Sequence, residues 1–192
     1  MNENIFRAYD IRGNAYEDLT DNVVQKIGSV LGNYVVKAGD QSIYVGHDSR
    51  LSKDRIKKNL IVGITSVGVD VHDLGLVPTP MVYYATKATG SEHGVMITGS
   101  HNPKEDNGMK IVIKGNPVSG LEIKDKVVNF KENKKKHGKV ISHDLTDQYL
   151  NEIKEKILIK KPLKVVLDAG NGASGPLARK VFEGIGIDII SI

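Results

Sequence analysis

Apolar and polar positions along the chain alternate between two periods. From Leu19 to Tyr34, the residues Leu19, Val23, Val24, Ile27, Val30, Leu31 and Tyr34 follow one another at three- to four-residue spacing. That spacing draws one stripe on a helix, and Thr20 stands in front of it as a cap. The stretch "QSIYVGHDSR" then reads as a short strand running into a polar loop. A second helix is predicted from Ser52 to Val67, with Ile56, Leu60, Ile61 and Ile64 on one face, Ser52 as its cap and Asp54 in its first turn. "VGVDVHDLGLVPTP" supplies another strand and loop, after which Thr79 as cap and Pro80 in the first turn open a helix ending near Gly90. "HGVMITGSH" and "GMKIVIKG" read as a third and fourth strand joined through a turn at Asp106, Asn107 and Gly108. Ser119 to Glu122 spells S-x-x-E, the pattern of a reciprocal helix cap. A polar helix from Asp147 to Lys156 leads into a tail of strand, glycine loop, helix and strand.

Strands alternating with helices predict an α/β protein: a layered α/β/α domain with a mostly parallel mixed sheet over residues 1–146. Residues 147–192 read as a linker helix and the incomplete start of a second, similar domain, because two strands and one helix cannot cover both faces of a sheet.

Composition narrows the class without choosing a function. Hydrophobic content of 40% and charged content of 26% suit an ordinary globular chain, so wholesale disorder is not expected. A net charge of +4 suits anionic ligands in general. The lysines between Lys131 and Lys139 raise the question of a nucleic-acid patch, but no aromatic residue interleaves to stack on bases, and a solvated helix end is the plainer reading. No nucleic-acid partner is expected. The absence of cysteine excludes disulfides, thiolate metal sites and a thiol nucleophile. "MNENIFRAYD" has neither the basic nor the apolar segment of a secretory signal, and the most apolar window, "LIVGITSVGV", is far short of the ~20 residues that span a bilayer. A cytoplasmic protein without a membrane partner is therefore expected.

Two kinds of loop invite chemistry. Gly170 to Gly175, "GNGASG", matches the G-x-G-x-x-G of dinucleotide sites. However, Asp188 opens the following strand, where a ribose-binding acid belongs at its far end, and Pro176 marks an ordinary helix start. In the first domain, polar residues gather where strands end: Gly46 to Arg50, then His72 and Asp73, then Thr98 to Asn102. The carboxyl ends of strands are where open α/β sheets bind ligands, so these three loops are expected on one rim. His47 and His72 taken singly read as packing or hydrogen-bonding residues. Ser100 stands out because Gly99 permits a tight strand exit and Pro103 biases Asn102 away from helix, which holds the serine on a constrained, exposed loop. The G-x-S-x-G elbow of hydrolases is not present, and His101, adjacent in sequence, is not thereby a base for Ser100. A phosphoryl carrier suits the chemistry better: a phosphoserine needs cations and donors nearby, and Lys110, Arg12 and Arg50 are candidates on the same rim.

"TGSHNP" (98–103) followed by "NGMK" (107–110) resembles the phosphoserine loop of the α-D-phosphohexomutases. "FRAYDIRG" (6–13) resembles the amino-terminal motif of that family's phosphomannomutase/phosphoglucomutase branch, and "VGHDSR", "DLGLVPTP" and "DAGNGASG" are similar to its further segments in the same order. The resemblance implies a phosphorylated Ser100 that donates its phosphoryl group to a mannose or glucose phosphate. A bound 1,6-bisphosphate would then reorient and return its other phosphate, interconverting the 1-phosphate and the 6-phosphate. It implies Arg12 and Lys110 flanking the phosphoserine, with Lys110 assisting proton transfer, and His101 among the catalytic residues. Tyr9 and Asn102 would line the substrate site, and Mg²⁺ would be held at the Ser100 phosphate. The family pattern has four domains. Its aspartate-rich metal loop, sugar-specificity loop and phosphate-binding loop have no counterpart in these residues, so the chain alone is expected to be an inactive portion of a mutase. A non-catalytic fragment that binds hexose phosphate or a partner, and more remotely a dinucleotide-binding protein, are the alternatives.

Overall fold

A computed structural model describes residues 1–131 and 137–192. The centre of the lysine run, residues 132–136, lies outside the described residues, and with it the suggestion of a basic patch there.

After a short 3₁₀ turn at Glu3–Ile5, the chain forms β1 (Ile11–Asn14), α1 (Asp21–Lys37), β2 (Ser42–His47), α2 (Lys53–Ser66) and β3 (Asp70–Leu76). Next come α3 (Thr79–Ala88), β4 (Gly94–Ile97), β5 (Asp106–Ile113), β6 (Asn116–Val118), α4 (Gly120–Val128) and β7 (Val140–Ser142). The tail is α5 (Thr146–Lys156), β8 (Lys164–Leu167), α6 (Gly175–Gly184) and β9 (Asp188–Ser191). Local chemistry accounts for the helix starts. The Thr20 hydroxyl accepts the Val23 amide at the head of α1, and Ser119 and Glu122 form the reciprocal cap of α4, with the Ser119 amide lowering the Glu122 carboxyl below its usual range.

Among the described residues, seven strands form one mixed sheet in the order β1-β5-β4-β2-β3-β7, with β6 also on β5. Pairing is parallel from β4 through β2 and β3 to β7, as the alternating pattern predicts. Around β5 it is antiparallel, because residues 98–105 between β4 and β5 are too short a connection for a parallel crossover, which takes a dozen or more. Side-chain alternation then makes two cores. Ile43, Val45, Val71, Val95 and Ile97 pack under α1, α2 and α4, while Tyr44 and Met96 face Met81, Val82 and Ala85 of α3. Helices α1 and α2 cross so closely that a Cβ on Gly63 would strike the Gln25 carbonyl. Strands β8 and β9 form a separate parallel pair, and α5 reaches the first unit through Tyr149, whose ring meets Tyr84 edge-on at 5.0 Å.

Some expected details differ. Asp106, Asn107 and Gly108 are not a turn but the start of β5, paired with Asn14, Gly13 and Arg12, and the turn is the loop before them. Ser52 does not cap α2: its backbone is already helical, and its hydroxyl accepts from the buried Asn107 side chain at 2.9 Å. Pro78, extended, takes the cap position of α3, so Thr79 is already inside that helix. Strands β1, β6 and β7 were not legible, since each is a short edge strand of three or four residues without a full alternation.

Candidate active site

Strand β4 delivers its last residues against two neighbours. Ile97 O accepts the Asp48 amide at 3.0 Å from the loop after β2, and the Thr98 amide donates to Gly108 O of β5 at 3.0 Å. The chain then leaves the sheet as a loop that closes on itself, with Asn102 N donating to Gly99 O at 3.0 Å and Asp106 N to Pro103 O at 3.1 Å. At its crest Ser100 has φ of 52°, the left-handed region that side chains other than glycine seldom enter. Its Oγ is exposed, and its side-chain neighbour is His101 Nδ1 at 3.4 Å, beyond normal hydrogen-bond length for such a pair.

The edge strand β1 brings Arg12 to this loop. Paired antiparallel to β5, it sets Arg12 opposite Gly108, and the residue is buried at 6% exposure. Arg12 Nε donates to Asp10 Oδ2 at 2.8 Å; its Nη1 donates to Gly99 O and, at 2.9 Å, to Asn102 Oδ1. Its Nη2 has no hydrogen-bond partner among the described residues and is not sealed from solvent, so a buried cation bound to the Ser100 loop at Gly99 and Asn102 keeps donors open. Asn102 in turn donates to Asp106 Oδ2 at 2.8 Å. Lys110, opposite Met96, projects from the same face of the sheet as Arg12 and forms no side-chain hydrogen bond or ion pair among the described residues. Arg12, Asn102, His101 and Ser100 are thus brought together. Tyr9 lies in the turn before β1, next to Asp10, is 88% exposed and forms no side-chain hydrogen bond with them among the described residues.

Arg50 reaches the loop but differs from the expected free cation. Its guanidinium donates to the carbonyls of Ser100, Asn102, Pro103 and Asp106 and faces the Asp48 carboxylate. His72 and Asp73 do not join the rim. They lie within β3, where the His72 ring stacks on Tyr44 at 4.9 Å and meets His143 at 5.3 Å, while Asp73 pairs with Lys57 at 2.8 Å. Burial, reinforced by His143, holds the His72 imidazole below its ordinary pKa. His47 is buried with Nδ1 against Asp48 O at 2.8 Å, a packing role. What flanks the Ser100 loop instead is Pro78 and Thr79 at the start of α3 and the glycine loop 172–174, around a cleft of about 450 Å³. Asp188 opens β9 beside Lys164, at the start of the strand rather than its end.

Sequence reasoning missed Asp10 as the counter-ion of Arg12, and Asp48 and Thr98 as supports of Ser100. Only the two-residue spacing in "DIR", which puts Asp10 and Arg12 on one side of an extended chain, hinted at the first. As for a metal, no group of three His, Cys, Asp or Glu among the described residues could hold an ion.

Known proteins share this fold. Residues 3–144 match the family model described as phosphoglucomutase/phosphomannomutase, alpha/beta/alpha domain I. A phosphomannomutase/phosphoglucomutase of Pseudomonas syringae pv. tomato is 39% identical over 192 residues, covering 99% of this chain and 41% of the relative. A phosphoglucomutase of Neisseria meningitidis serogroup A is 35% identical over 98% of this chain and 42% of its own length. The crystal structure of a phosphoglucomutase/phosphomannomutase family protein from Burkholderia thailandensis superposes with a TM-score of 0.93 at 34% identity, covering all of this chain and 44% of that one. The chain thus spans about two fifths of the length of the curated relatives it matches. With the fold, the serine loop and the family model in agreement over most of its length, the chain belongs to the phosphoglucomutase/phosphomannomutase family and carries its α/β/α domain I.

Proposed function

We propose that this chain is the phosphoserine-bearing part of a phosphohexomutase, interconverting a hexose 1-phosphate and a hexose 6-phosphate through phosphorylated Ser100 and a bound 1,6-bisphosphate. The observation that carries the reading is an exposed Ser100, held at φ 52°, on a loop whose Gly99 carbonyl and Asn102 side chain are bound by the buried Arg12 guanidinium of β1. The names of the curated relatives, phosphomannomutase/phosphoglucomutase and phosphoglucomutase, support a hexose phosphate as substrate.

In this reading the bond from Ser100 Oγ to phosphorus breaks as a sugar hydroxyl takes the phosphoryl group. That hydroxyl gives up its proton, and Ser100 Oγ acquires one. Transfer of this kind rests on positioning and charge stabilisation more than on covalent chemistry. Arg12 Nη2 supplies donors to the transferring phosphoryl group from a site already held by Asp10. Lys110 adds positive charge from the adjacent strand and assists the proton, and His101 Nδ1, 3.4 Å from Oγ, moves a proton at that atom after a small rotation. Asn102 meets the sugar from the loop itself, and Tyr9, 88% exposed in the turn before β1, reaches it only by swinging in from outside these contacts. Mg²⁺ at the Ser100 phosphate remains part of the proposal, but these residues do not make a divalent site without further oxygen donors, so no step here runs through a metal. Residues 1–146 are domain I and 147–192 a linker and the opening of a second unit. For want of those donors, a polypeptide of these 192 residues alone has little turnover.

The test is peptide mass mapping after incubation with glucose 1,6-bisphosphate or mannose 1,6-bisphosphate, together with a coupled assay of 1-phosphate to 6-phosphate conversion. Phosphate is expected on Ser100 and absent in Ser100→Ala. Phosphate elsewhere, or robust turnover by the 192-residue polypeptide alone, overturns the reading.

A further inference from the structure

The loop that carries Ser100 is held by two residues that sequence reasoning assigned no such role. Arg50, entering from the loop after β2, offers five N–H donors, the full complement of a guanidinium. Its Nη1 donates to Pro103 O and, at 2.8 Å, to Asp106 O, and its Nη2 donates to Ser100 O at 3.0 Å and Asn102 O at 2.7 Å. Its Nε faces Asp48 Oδ2 at 3.5 Å. Four of the five are spent on loop carbonyls and the fifth faces the Asp48 carboxylate at ion-pair distance, so the guanidinium is committed to the loop. Arg12, by contrast, keeps its Nη2 open.

Asp48 works from the other side. Its Oδ1 accepts the Arg50 amide at 3.0 Å, and its Oδ2 accepts the Thr98 hydroxyl at 2.7 Å and the Gly99 amide at 3.3 Å. Because the Thr98 hydroxyl donates to Asp48, its lone pair is free to accept the Ser100 amide, at 2.9 Å. Both backbone groups of Ser100 are therefore tied, the N–H through Thr98 to Asp48 and the C=O to Arg50, while its Oγ stays exposed. Gly99 is required by the same device, since a Cβ there would overlap the Arg50 guanidinium.

We propose that Asp48 and Arg50 are positioning residues for the phosphoryl-transfer reaction: they preset the left-handed Ser100 turn and make no contact with the transferred phosphate. The proposal rests on Ser100 being the phosphoryl carrier. Proteins use such preset turns where the conformation serves the chemistry, and misplacing a reacting atom by about 1 Å costs about 100-fold in rate.

The experiment uses the full mutase of which these residues are proposed to be a part, since the 192-residue polypeptide alone is expected to turn over little, with Arg50→Lys, Asp48→Asn and Thr98→Val, the last removing one hydroxyl with little change in shape. Hydrogen exchange of residues 98–106, initial rates with glucose 1-phosphate and Ser100 phosphorylation by glucose 1,6-bisphosphate are measured together. All three variants are expected to exchange faster in that segment. In Arg50→Lys and Asp48→Asn, kcat should fall about 10- to 100-fold with KM nearly unchanged, because uniform binding is untouched. Thr98→Val should lie between these and wild type. A raised KM at wild-type kcat in Arg50→Lys would make Arg50 a substrate contact and overturn the proposal, as would wild-type exchange and rate in all three variants. If Arg50→Lys does not fold, the other two variants decide the matter. Should wild-type Ser100 take up no phosphate, the carrier reading falls, while unchanged exchange in the variants would separately refute the clamp.

Discussion

Asp10→Ala is expected to cost more stability than any other single substitution around Ser100. The Asp10 and Arg12 side chains are exposed by only 12% and 7%, and their 2.8 Å contact is the ion pair that neutralises Arg12. Deleting one partner of such a pair strands a buried charge and costs about 3–5 kcal/mol. Arg12 keeps Gly99 O and Asn102 Oδ1 as acceptors, which puts the expected loss at the lower end, about 3 kcal/mol. For a chain of this size each kcal/mol lowers Tm by about 2–4 °C, so a fall of roughly 6–12 °C is expected in thermal unfolding followed by circular dichroism. Asp10→Asn keeps an acceptor for Arg12 and should lose about half as much. The pair being buried, adding salt to 1 M should change the difference between wild type and variant little. Replacing both partners, as in Asp10→Leu with Arg12→Met, should recover most of the lost stability, because an apolar pair carries no stranded charge. If Asp10→Ala unfolds within about 2 °C of wild type, or the double variant is destabilised by the sum of its parts, the account of Arg12 as a buried, neutralised cation is wrong.

Ser100→Gly should raise stability by about 1 kcal/mol, since glycine adopts the left-handed turn without strain, whereas Ser100→Ala should not; equal melting temperatures for the two would refute the strain. Stability should also decline on acidification from about pH 7 to about pH 5. The folded state holds His72 below its ordinary value of 6.5, through burial first and His143 second and against the opposing charge of Asp70, so the unfolded chain binds the extra proton in that window. His72→Phe, which keeps a ring against Tyr44, should flatten that slope in denaturant titrations at a series of pH values, and an unchanged slope would show that His72 is not its source.

Much of the architecture is legible in one dimension because it depends on local periodicity and end chemistry. The stripe on α1, the Thr20 cap and the Ser119–Glu122 box all act within one or two turns of chain, so the residues that make them are neighbours in sequence. The constrained, exposed character of Ser100 is legible for the same reason, from Gly99 and Pro103 on either side. Short edge strands are not, since β1 and β7 are made by hydrogen bonds to residues more than sixty positions away rather than by their own pattern.

The roles of the charged residues divide along the same line. Sequence could nominate Arg12, Arg50 and Lys110 as cations but not rank them, because charge is a property of a residue and availability is a property of its surroundings. Antiparallel pairing of β1 with β5 gives Arg12 a buried counter-ion and open donors. Parallel pairing of β2 with β4 sets Arg50 under the Ser100 loop and spends its donors on carbonyls. The sequence by itself determined the serine, the turn that exposes it and the helices around it, all through short-range sterics and hydrogen bonding. Only the tertiary structure decided which arginine keeps donors open and which one holds the loop, because that depends on strand order bringing distant donors and acceptors within about 3 Å of each other.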